Sequence, residues 1–280
     1  MASTAAQINQ EIIKRLSKLF EKSEAEAICR ELWRHFSQWP FPGDEVPEKT
    51  IKQIEAALLR LETGEPLQYI LETAWFCGME WKVGPGVLIP RPETEELVHW
   101  ILATEDQEKK SVIDLGTGSG CIAVSLAKLG KWNSVYALDV SGEALEIARY
   151  NAENYGLKIS WSLQDILEEK PFFHSVVKWD IMVSNPPYVL QSESAEMEKQ
   201  VLDFEPQMAL FVPDGNPLVF YEAIAKAGIN QLKEGGSLFF EINPKLGSEI
   251  CSLLAELGYT HIEHRQDMFG KDRMVRARKG

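Results

Sequence analysis

The first seventy residues carry apolar side chains at helical spacing. The pattern over residues 7–38 predicts a helix, which the stretch 39–44, Trp-Pro-Phe-Pro-Gly-Asp, interrupts. A second helix is predicted over residues 47–62 and ends at residues 64–66, Gly-Glu-Pro. Residues 1–73 are therefore expected to form a small helical domain.

The pattern changes at residues 75–89, where aromatic and β-branched side chains are punctuated by glycine and proline. This predicts a β-hairpin, which serves as a connector over residues 74–90. A helix over 93–103 follows, and short apolar strands then alternate with helices. Strands are predicted at residues 111–115, 134–139, 159–163, 179–184, 237–242, 260–265 and 273–278, and helices at 120–129, 142–155, 218–232 and 246–257. Such alternation predicts an α/β domain over residues 91–280, Rossmann-like, with a mostly parallel seven-stranded sheet.

Composition and charge narrow the class of protein. The chain has 280 residues, 45% of them hydrophobic, as in soluble proteins with one large and one small domain. Its net charge is −13, whereas proteins that make extended contacts with nucleic acid usually have a basic surface. The charge therefore argues against such contacts. With no long apolar run and no targeting pattern, we expect a cytoplasmic protein without membrane contact. We also expect a monomer. The four cysteines lack metal-ligand spacing, so no metal site is expected.

A glycine-rich turn joins a predicted strand to a helix over residues 112–120, Val-Ile-Asp-Leu-Gly-Thr-Gly-Ser-Gly. Such a turn lets a ligand approach the backbone at a helix N-terminus. Asp139 ends the next strand, where a carboxylate can accept hydrogen bonds from both ribose hydroxyls of a cofactor. A dinucleotide, S-adenosylmethionine and a plain structural turn all remain possible. Asp114, just before the glycines, suits a cationic ligand better than a diphosphate.

The tetrapeptide Asn185-Pro186-Pro187-Tyr188 follows a buried strand, at the sheet edge expected to carry the glycine turn. The side-chain oxygen of Asn185 and the main-chain oxygen of Pro186 can each accept one hydrogen from an NH₂ group. Tyr188 offers a flat face to a planar amide or base. In isolation the tetrapeptide is equally compatible with a plain loop, but its pairing with the glycine turn indicates methyl transfer to nitrogen.

With these motifs in place, the sequence resembles the HemK/PrmC family, the protein-(glutamine-N5) methyltransferases of peptide chain release factors. The resemblance rests on residues 64–70, 87–95, 114–120, 185–188 and 267–273. It implies a class I S-adenosylmethionine-dependent methyltransferase fold with a helical N-terminal domain. It also implies S-adenosylmethionine as methyl donor and the glutamine of a Gly-Gly-Gln loop as acceptor.

The resemblance implies roles for the glycine turn, Asp139 and residues 185–188, and the roles of Asp165, Arg91 and Glu93 are inferred from their positions along the chain. Donor contacts are expected at Gly116, Thr117, Gly118, Ser119, Gly120, Asp139, Asp165, Ile166 and Asn185. Catalysis is expected from Asn185, Pro186 and Tyr188, and substrate contacts from these, Pro187, Arg91 and Glu93. Thr94 or Glu93 could instead cap the following helix. Asp165 could equally cap a strand end.

Three departures from the family pattern stand out. Ile166 occupies a position that often carries an aromatic residue stacked on adenine. Glu72 stands where the family tends to have glycine, and residues 241–244 differ from the usual sequence. These departures affect the adenine contact, the hairpin hinge and the far wall of the cleft.

Three other functions remain open at this point. An amino-methyltransferase acting on DNA or RNA uses the same tetrapeptide logic, although the charge and the lack of a base-reading domain speak against it. A dinucleotide-dependent oxidoreductase and a non-catalytic binding module are the others. In the favoured interpretation, residues 1–73 dock the protein substrate.

Overall fold

The computed structural model describes residues 4–37, 41–168 and 178–280, and all elements below lie within them. The helices are α1 (Ala5–Leu16), α2 (Lys22–Phe36), α3 (Glu48–Glu62), α4 (Leu67–Leu71), α5 (Pro92–Thr104), α6 (Cys121–Leu129), α7 (Gly142–Asn154), α8 (Lys199–Phe204), α9 (Val219–Gln231) and α10 (Gly247–Glu256). The strands are β1 (Thr73–Phe76), β2 (Met79–Lys82), β3 (Ser111–Leu115), β4 (Ser134–Asp139), β5 (Ser160–Leu163), β6 (Trp179–Ser184), β7 (Val189–Leu190), β8 (Phe211–Val212), β9 (Leu232–Glu241), β10 (Tyr259–Gln266) and β11 (Asp272–Lys279). None of the described helices is both long and apolar enough to traverse a bilayer.

One compact unit is helical and comprises the residues up to Thr73 together with Glu198–Phe204. Its apolar helix faces meet in a core that includes Leu16, Leu32 and Leu58. The single helix predicted over residues 7–38 is wrong, because α1 ends at Leu16 and α2 begins at Lys22. The apolar spacing continues across the break, so the pattern did not reveal a turn that lets α1 fold back on α2. Residue 38 and the predicted break at 39–40 lie outside the described residues.

The short helix α4 was not predicted, because a proline immediately before it was interpreted as ending the preceding helix. Pro66 has an extended backbone and α4 starts directly after it, a position where proline is well tolerated. Glu72 then ends α4 with a φ of 54°, in the left-handed region. A non-glycine residue is strained there by about 1–2 kcal/mol, so glycine would fit this backbone conformation better than Glu72 does.

The second compact unit begins at Ala74 and therefore contains most of the β1–β2 hairpin as well as the large sheet. Cys77 and Gly78 form the two-residue turn with φ values of 50° and 70°, the left-handed conformation that such hairpin turns require. Asn151 on α7 pairs with both the N–H and the C=O of Lys82, at 2.8 and 3.0 Å. The hairpin is thus bound to the helix behind the glycine turn.

The large sheet has the strand order β10-β11-β9-β6-β3-β4-β5. The five strands from β9 to β5 run parallel. At one edge of the sheet β11 runs antiparallel to them, and β10, which pairs antiparallel with β11, runs in their direction again. This confirms the predicted mostly parallel seven-stranded sheet. The chain order reverses between β3 and β6, and in doubly wound sheets ligands bind beyond the carboxyl ends of the strands at such a reversal.

Several short elements between the predicted ones escaped the sequence analysis. Strands β7 and β8 have two residues each, and α8 has six, which is too short for a periodic pattern. Strand β9 begins at Leu232 and not at residue 237, because its first part carries polar and glycine residues with no apolar alternation.

Candidate functional site

The glycine turn leaves β3 and enters α6 through three left-handed residues. Gly116, Gly118 and Gly120 have φ values of 73°, 56° and 82°. The turn is closed by the carbonyl of Leu138 on β4, which accepts from the N–H groups of Gly116 and Thr117, each at 3.0 Å. A Cβ at Gly118 would meet open space. The turn therefore presents bare backbone to any molecule that lies over it.

Gly120 has a second reason to be glycine. A Cβ there would lie 3.0 Å from the Cβ of Ala148 on α7. Asn151 on the same helix donates to the carbonyl of Ser119 at 2.9 Å. Helix α7, which also holds the hairpin, thus presses directly on the end of the turn.

The carboxylate of Asp139 is fixed beside the turn at the end of β4. Its Oδ2 accepts from the N–H of Gly118 at 2.8 Å, and its Oδ1 accepts from the N–H of Ser141 at 2.9 Å. Burial raises the pKa of Asp139, and these backbone hydrogen bonds oppose that rise. Since each carboxylate oxygen offers more than one lone pair, both oxygens can still accept a further hydrogen.

Asp114 lies beneath the turn and is fully buried. Its Oδ2 accepts from the hydroxyl of Thr117 at 2.6 Å and from the N–H of Ala123 at 3.2 Å. Its Oδ1 has no hydrogen-bond partner among the residues that the structure describes. Burial raises the pKa of Asp114 to about 7. The site therefore contains a buried carboxyl oxygen that the described part of the chain leaves unsatisfied.

The residues after β5 lie on the other side of the turn. Ile166 is buried, and its Cδ1 would lie 3.6 Å from a Cβ built on Gly116. Asp165 is half-buried, and its Oδ1 accepts from the N–H of Leu167 at 2.8 Å. One of its carboxylate oxygens thus serves the local turn, as the capping interpretation expected, and the other is left for a further donor.

The tetrapeptide Asn185-Pro186-Pro187-Tyr188 follows β6, the strand that pairs in parallel with β3. The hydroxyl of Ser184 donates to the carbonyl of Leu115 at 2.6 Å. These are the last residues of the two strands, so the tetrapeptide and the glycine turn start from directly bonded positions. The fold thus brings both predicted motifs to one point on the sheet edge.

A chain of side-chain hydrogen bonds runs from Asn185 into the protein. The Nδ2 of Asn185 donates to Thr94 Oγ1 at 3.2 Å, and Thr94 Oγ1 donates to Glu241 Oε2 at 2.6 Å. The hydroxyl of Tyr188 donates to Glu241 Oε1 at 3.0 Å. Thr94 comes from the first turn of α5 and Glu241 from the end of β9, so three separate elements meet here.

Glu241 accepts hydrogen bonds from both Thr94 and Tyr188, and its residue is only 1% exposed. Burial raises its pKa, whereas the hydrogen bonds from Thr94 and Tyr188 and the positive charge of Arg273 oppose that rise. Arg273 is itself paired with Asp267, with Nε 3.1 Å from Oδ2. Burial together with the charge of Glu241 raises the pKa of Tyr188, so this phenol remains protonated at neutral pH.

Two family models and many relatives match this chain. The family model described as PrmC N-terminal domain matches residues 9–71, and the one described as Methyltransferase small domain matches residues 94–204. A release factor glutamine methyltransferase of Flavobacterium psychrophilum is 37% identical over 95% of this chain and 96% of its own length. One from Bacteroides thetaiotaomicron is 44% identical over 81% of each chain.

The chain belongs to the release factor glutamine methyltransferase family. Solved structures share its fold at lower identity. A methyltransferase of Pyrococcus furiosus has a TM-score of 0.53 at 18% identity and covers 82% of this chain and 99% of its own. The T. thermophilus 16S rRNA N2 G1207 methyltransferase, solved with AdoMet and guanosine, has a TM-score of 0.52 at 20% identity, over 74% of this chain and 50% of its own. The predicted class I methyltransferase fold is thereby confirmed.

Two residues of the segment 89–95, Ile-Pro-Arg-Pro-Glu-Thr-Glu, have different kinds of partner. Arg91 pairs with the buried Glu205, with Nη2 2.6 Å from Oε1, and the N–H of Ile89 donates to the other oxygen of Glu205 at 3.1 Å. Thr94 is buried and contacts both Asn185 and Glu241. The interpretation of Thr94 as a helix cap is therefore wrong, since α5 has no side-chain cap and begins after Arg91. Glu93 is half-buried in the same turn.

Sequence reasoning missed Glu241 and Asn243 as parts of the site. Asn243 Nδ2 donates to the carbonyl of Tyr188 at 3.0 Å and to Glu193 Oε2 at 3.0 Å, which holds the loop after the tetrapeptide. The signal that the sequence offers is the departure from the family pattern at residues 241–244. A polar residue such as Glu241 at the end of a buried strand can indicate a site. Its partners Thr94 and Tyr188, however, are distant in the sequence.

His99 lies beside two other residues that can bind metal ions, although the residues around it in the sequence do not indicate this. Its ring, the thiol of Cys77 and the carboxylate of Glu95 have ligand atoms within 4.8 Å of one another. Burial raises the pKa of Cys77 to about 12, so the thiol is protonated at neutral pH. A metal ion would have to displace that proton to bind here.

Proposed function

We propose that this protein transfers a methyl group from S-adenosylmethionine to the side-chain amide nitrogen of the glutamine in the Gly-Gly-Gln motif of peptide chain release factors. One observation carries the proposal: the glycine turn and the Asn185–Tyr188 tetrapeptide leave neighbouring strands joined by the Ser184–Leu115 hydrogen bond. A donor site and an NH₂-binding site thereby share one pocket edge in a chain of this family.

The residues around the turn fit S-adenosylmethionine. In this proposal the backbone of residues 116–120 lies against the donor, and Asp139 accepts hydrogen bonds from its ribose hydroxyls. The buried carboxyl of Asp114 lies under the turn, and its Oδ1 meets no donor among the described residues. Such an acceptor suits a zwitterionic, sulfonium-bearing molecule and disfavours a diphosphate. Ile166 forms an aliphatic wall for the adenine in place of an aromatic stack, with Asp165 near its amino group.

When bound, S-adenosylmethionine supplies the methyl group on a sulfonium, the nitrogen lone pair forms the new N–C bond, and the C–S electron pair stays on sulfur. The chain has to hold the amide, whose lone pair is delocalised and therefore weakly nucleophilic. Asn185 Oδ1 and the Pro186 carbonyl accept the two amide hydrogens and stabilise the positive charge that develops on nitrogen. The nitrogen then loses one proton to solvent.

Positioning accounts for much of the catalysis in this scheme, since a sulfonium is already a strong methyl donor. Pro187 stiffens the loop behind Pro186. Tyr188 provides one face of the amide pocket while its hydroxyl is held by Glu241. Arg91 and Glu93 complete the substrate side, although the bond of Arg91 to Glu205 makes its first role that of fixing the segment before α5.

The helical unit is proposed as the docking module for the protein substrate. Removing residues 1–70 is expected to weaken methylation of the release factor and to spare binding of S-adenosylhomocysteine, because the residues of the turn belong to the other unit. Equal loss of both, measured by calorimetry and by methylation kinetics, would contradict this division. We further propose that the protein acts as a cytoplasmic monomer.

The direct test is mass spectrometry of a release factor co-expressed with this protein. The expected result is the added mass of one CH₂ group on one glutamine, and its absence in cells with the Asn185→Ala variant. Labelled S-adenosylmethionine should be offered in parallel to DNA and RNA. Labelled nucleic acid together with an unlabelled release factor would favour the amino-methyltransferase alternative, against which the net charge of −13 argues.

A further inference from the structure

The buried side chains behind Asn185 have a consequence beyond holding the loop. We propose that Thr94 and Glu241 are positioning residues that fix which end of the Asn185 amide faces the substrate. They thereby make the pocket select a group that donates two hydrogens. This inference rests on the proposed function, because it names what sets the polarity of the proposed amide-binding site.

The carboxylate of Glu241 determines the direction of each hydrogen bond that connects it to Asn185. An ionised carboxylate only accepts hydrogen bonds, so both hydroxyls that contact Glu241 must donate to it. The single hydroxyl hydrogen of Thr94 is therefore used at 2.6 Å from Glu241 Oε2. Towards Asn185, at 3.2 Å, Thr94 can only accept. The Nδ2 end of the amide is consequently drawn to Thr94.

The other end of the amide is then fixed as well. Because the amide group is planar, Oδ1 of Asn185 points away from Thr94 when Nδ2 points towards it. In the proposed site, Oδ1 is one of the two acceptors for the glutamine NH₂. A flipped amide would set NH₂ against NH₂, which leaves donors unsatisfied at a cost of about 1–3 kcal/mol. We call the bonds from Asn185 to Thr94 and from Thr94 to Glu241 the relay. Without the relay, the tetrapeptide itself does not distinguish the two orientations of the amide.

The relay depends on the ionisation of Glu241, which several groups influence. Titratable or charged groups act on it from every neighbouring element: Glu93 on α5, Cys121 on α6, Tyr188 after β6, Tyr221 on α9 and Arg273 on β11. Burial raises the pKa of Glu241, while Thr94, Tyr188 and Arg273 hold the rise back. Once protonated, Glu241 can donate to Thr94, whose hydroxyl is then free to donate to Asn185 and reverse the amide.

The test compares Thr94→Val, Thr94→Ser and Glu241→Gln in the full-length enzyme. Valine matches threonine in shape but cannot accept, so kcat on the release factor is expected to fall about 10- to 100-fold, the equivalent of one unsatisfied donor. Serine keeps the hydroxyl and should retain most of kcat. Thr104→Val, on the same helix, removes a hydroxyl that donates to the Trp100 carbonyl and should leave kcat unchanged.

Glu241→Gln adds a readout that a merely structural role would not alter. The wild-type enzyme should lose kcat on acidification as Glu241 is protonated, and this acid limb should vanish in the glutamine variant, which is neutral at all pH values. KM for the release factor and the affinity for S-adenosylhomocysteine should change much less than kcat. Thermal unfolding identifies any variant that fails to fold, and in that case the Val and Ser pair decides the matter.

A substrate-free measurement separates this inference from the proposed function. The side-chain NH₂ resonance of Asn185, identified by its loss in Asn185→Asp, should exchange slowly with solvent in wild type and Thr94→Ser and faster in Thr94→Val. If the wild type methylates no release factor, the proposed function fails but this spectrum still tests the relay. Equal exchange in all three proteins, or a normal kcat in Thr94→Val, would overturn the relay.

Discussion

The glycine turn and the Asn185 tetrapeptide end neighbouring strands, but the protein shapes them in different ways. The turn is closed by Leu138 and Asp139, and the Gly118–Asp139 bond spans only 21 positions of the chain. The Asn185 side chain is oriented through Thr94, 91 positions away, and Tyr188 is held by Glu241, 53 positions away. The hydrogen bonds that close the glycine turn lie within the unit β3–α6–β4. The side chains of the tetrapeptide are held by residues of α5 and β9, which are distant from it in the sequence.

This difference separates two kinds of specificity. The turn uses backbone groups and glycines, so it fixes the shape of a site. The tetrapeptide uses side-chain atoms whose direction is set from outside, so it fixes which atoms of a substrate donate and which accept. Substitutions in the first region should therefore act on stability and donor binding, and those in the second on turnover.

The largest expected effect is that of Asn185→Ala on turnover. Removing one of the two acceptors should lower kcat by about 10²–10³-fold, as removal of one oxyanion-hole donor does. Binding of S-adenosylhomocysteine should fall far less, because the hydrogen bonds of the glycine turn are untouched. Methylation kinetics and calorimetry measure the two quantities, and unchanged turnover would show that the acceptor site is elsewhere.

Gly120→Ala should act on stability instead. The new Cβ would lie 3.0 Å from Ala148 Cβ at a φ of 82°, and overpacking of this kind costs about 1–3 kcal/mol of unfolding free energy. Gly142→Ala is the matched control, since a Cβ there meets nothing within 4 Å. Chemical denaturation compares the two, and equal stability would mean that α7 does not press on the turn as described.

Asp114 should make stability depend on pH in a predictable direction. Its folded-state pKa is raised to about 7 from an ordinary value of 3.8, so between these values the folded protein binds more protons than the unfolded chain. Its contribution to stability therefore falls as pH rises from about 4 to about 7. Asp114→Asn should reduce the difference in unfolding free energy between pH 5 and pH 8. An unaltered difference would show that Asp114 titrates normally.

Ser184→Ala should have the smallest effect and tests the link between the two regions. It removes the hydrogen bond to the Leu115 carbonyl, with an expected cost of about 1 kcal/mol in unfolding free energy. Ser252→Ala removes a comparable bond to a main-chain carbonyl at an exposed position of helix α10 and should cost less. If Ser184→Ala also lowers kcat/KM more than it lowers donor binding, the spacing of the two motifs matters for catalysis. No change in either quantity would make the bond incidental.

Much of this architecture could be predicted from the sequence because the deciding signals are local. Strand β6 follows from its apolar run, the glycine turn from residues that need a positive φ, and the position of Asn185 from the end of a buried strand. The parallel sheet follows from alternation of strands and helices. The break between α1 and α2 escaped because the apolar period carries across it.

The hydrogen-bond partners of the site residues are known only from the tertiary structure. Nothing near Thr94 in the chain indicates that its hydroxyl meets Glu241, 147 positions later, and nothing near Arg91 points to Glu205. A hydrogen bond between distant residues depends on which elements pack together, and a local pattern carries no record of that. The sequence by itself determined which residues reach the sheet edge, whereas packing determined which way their polar atoms face.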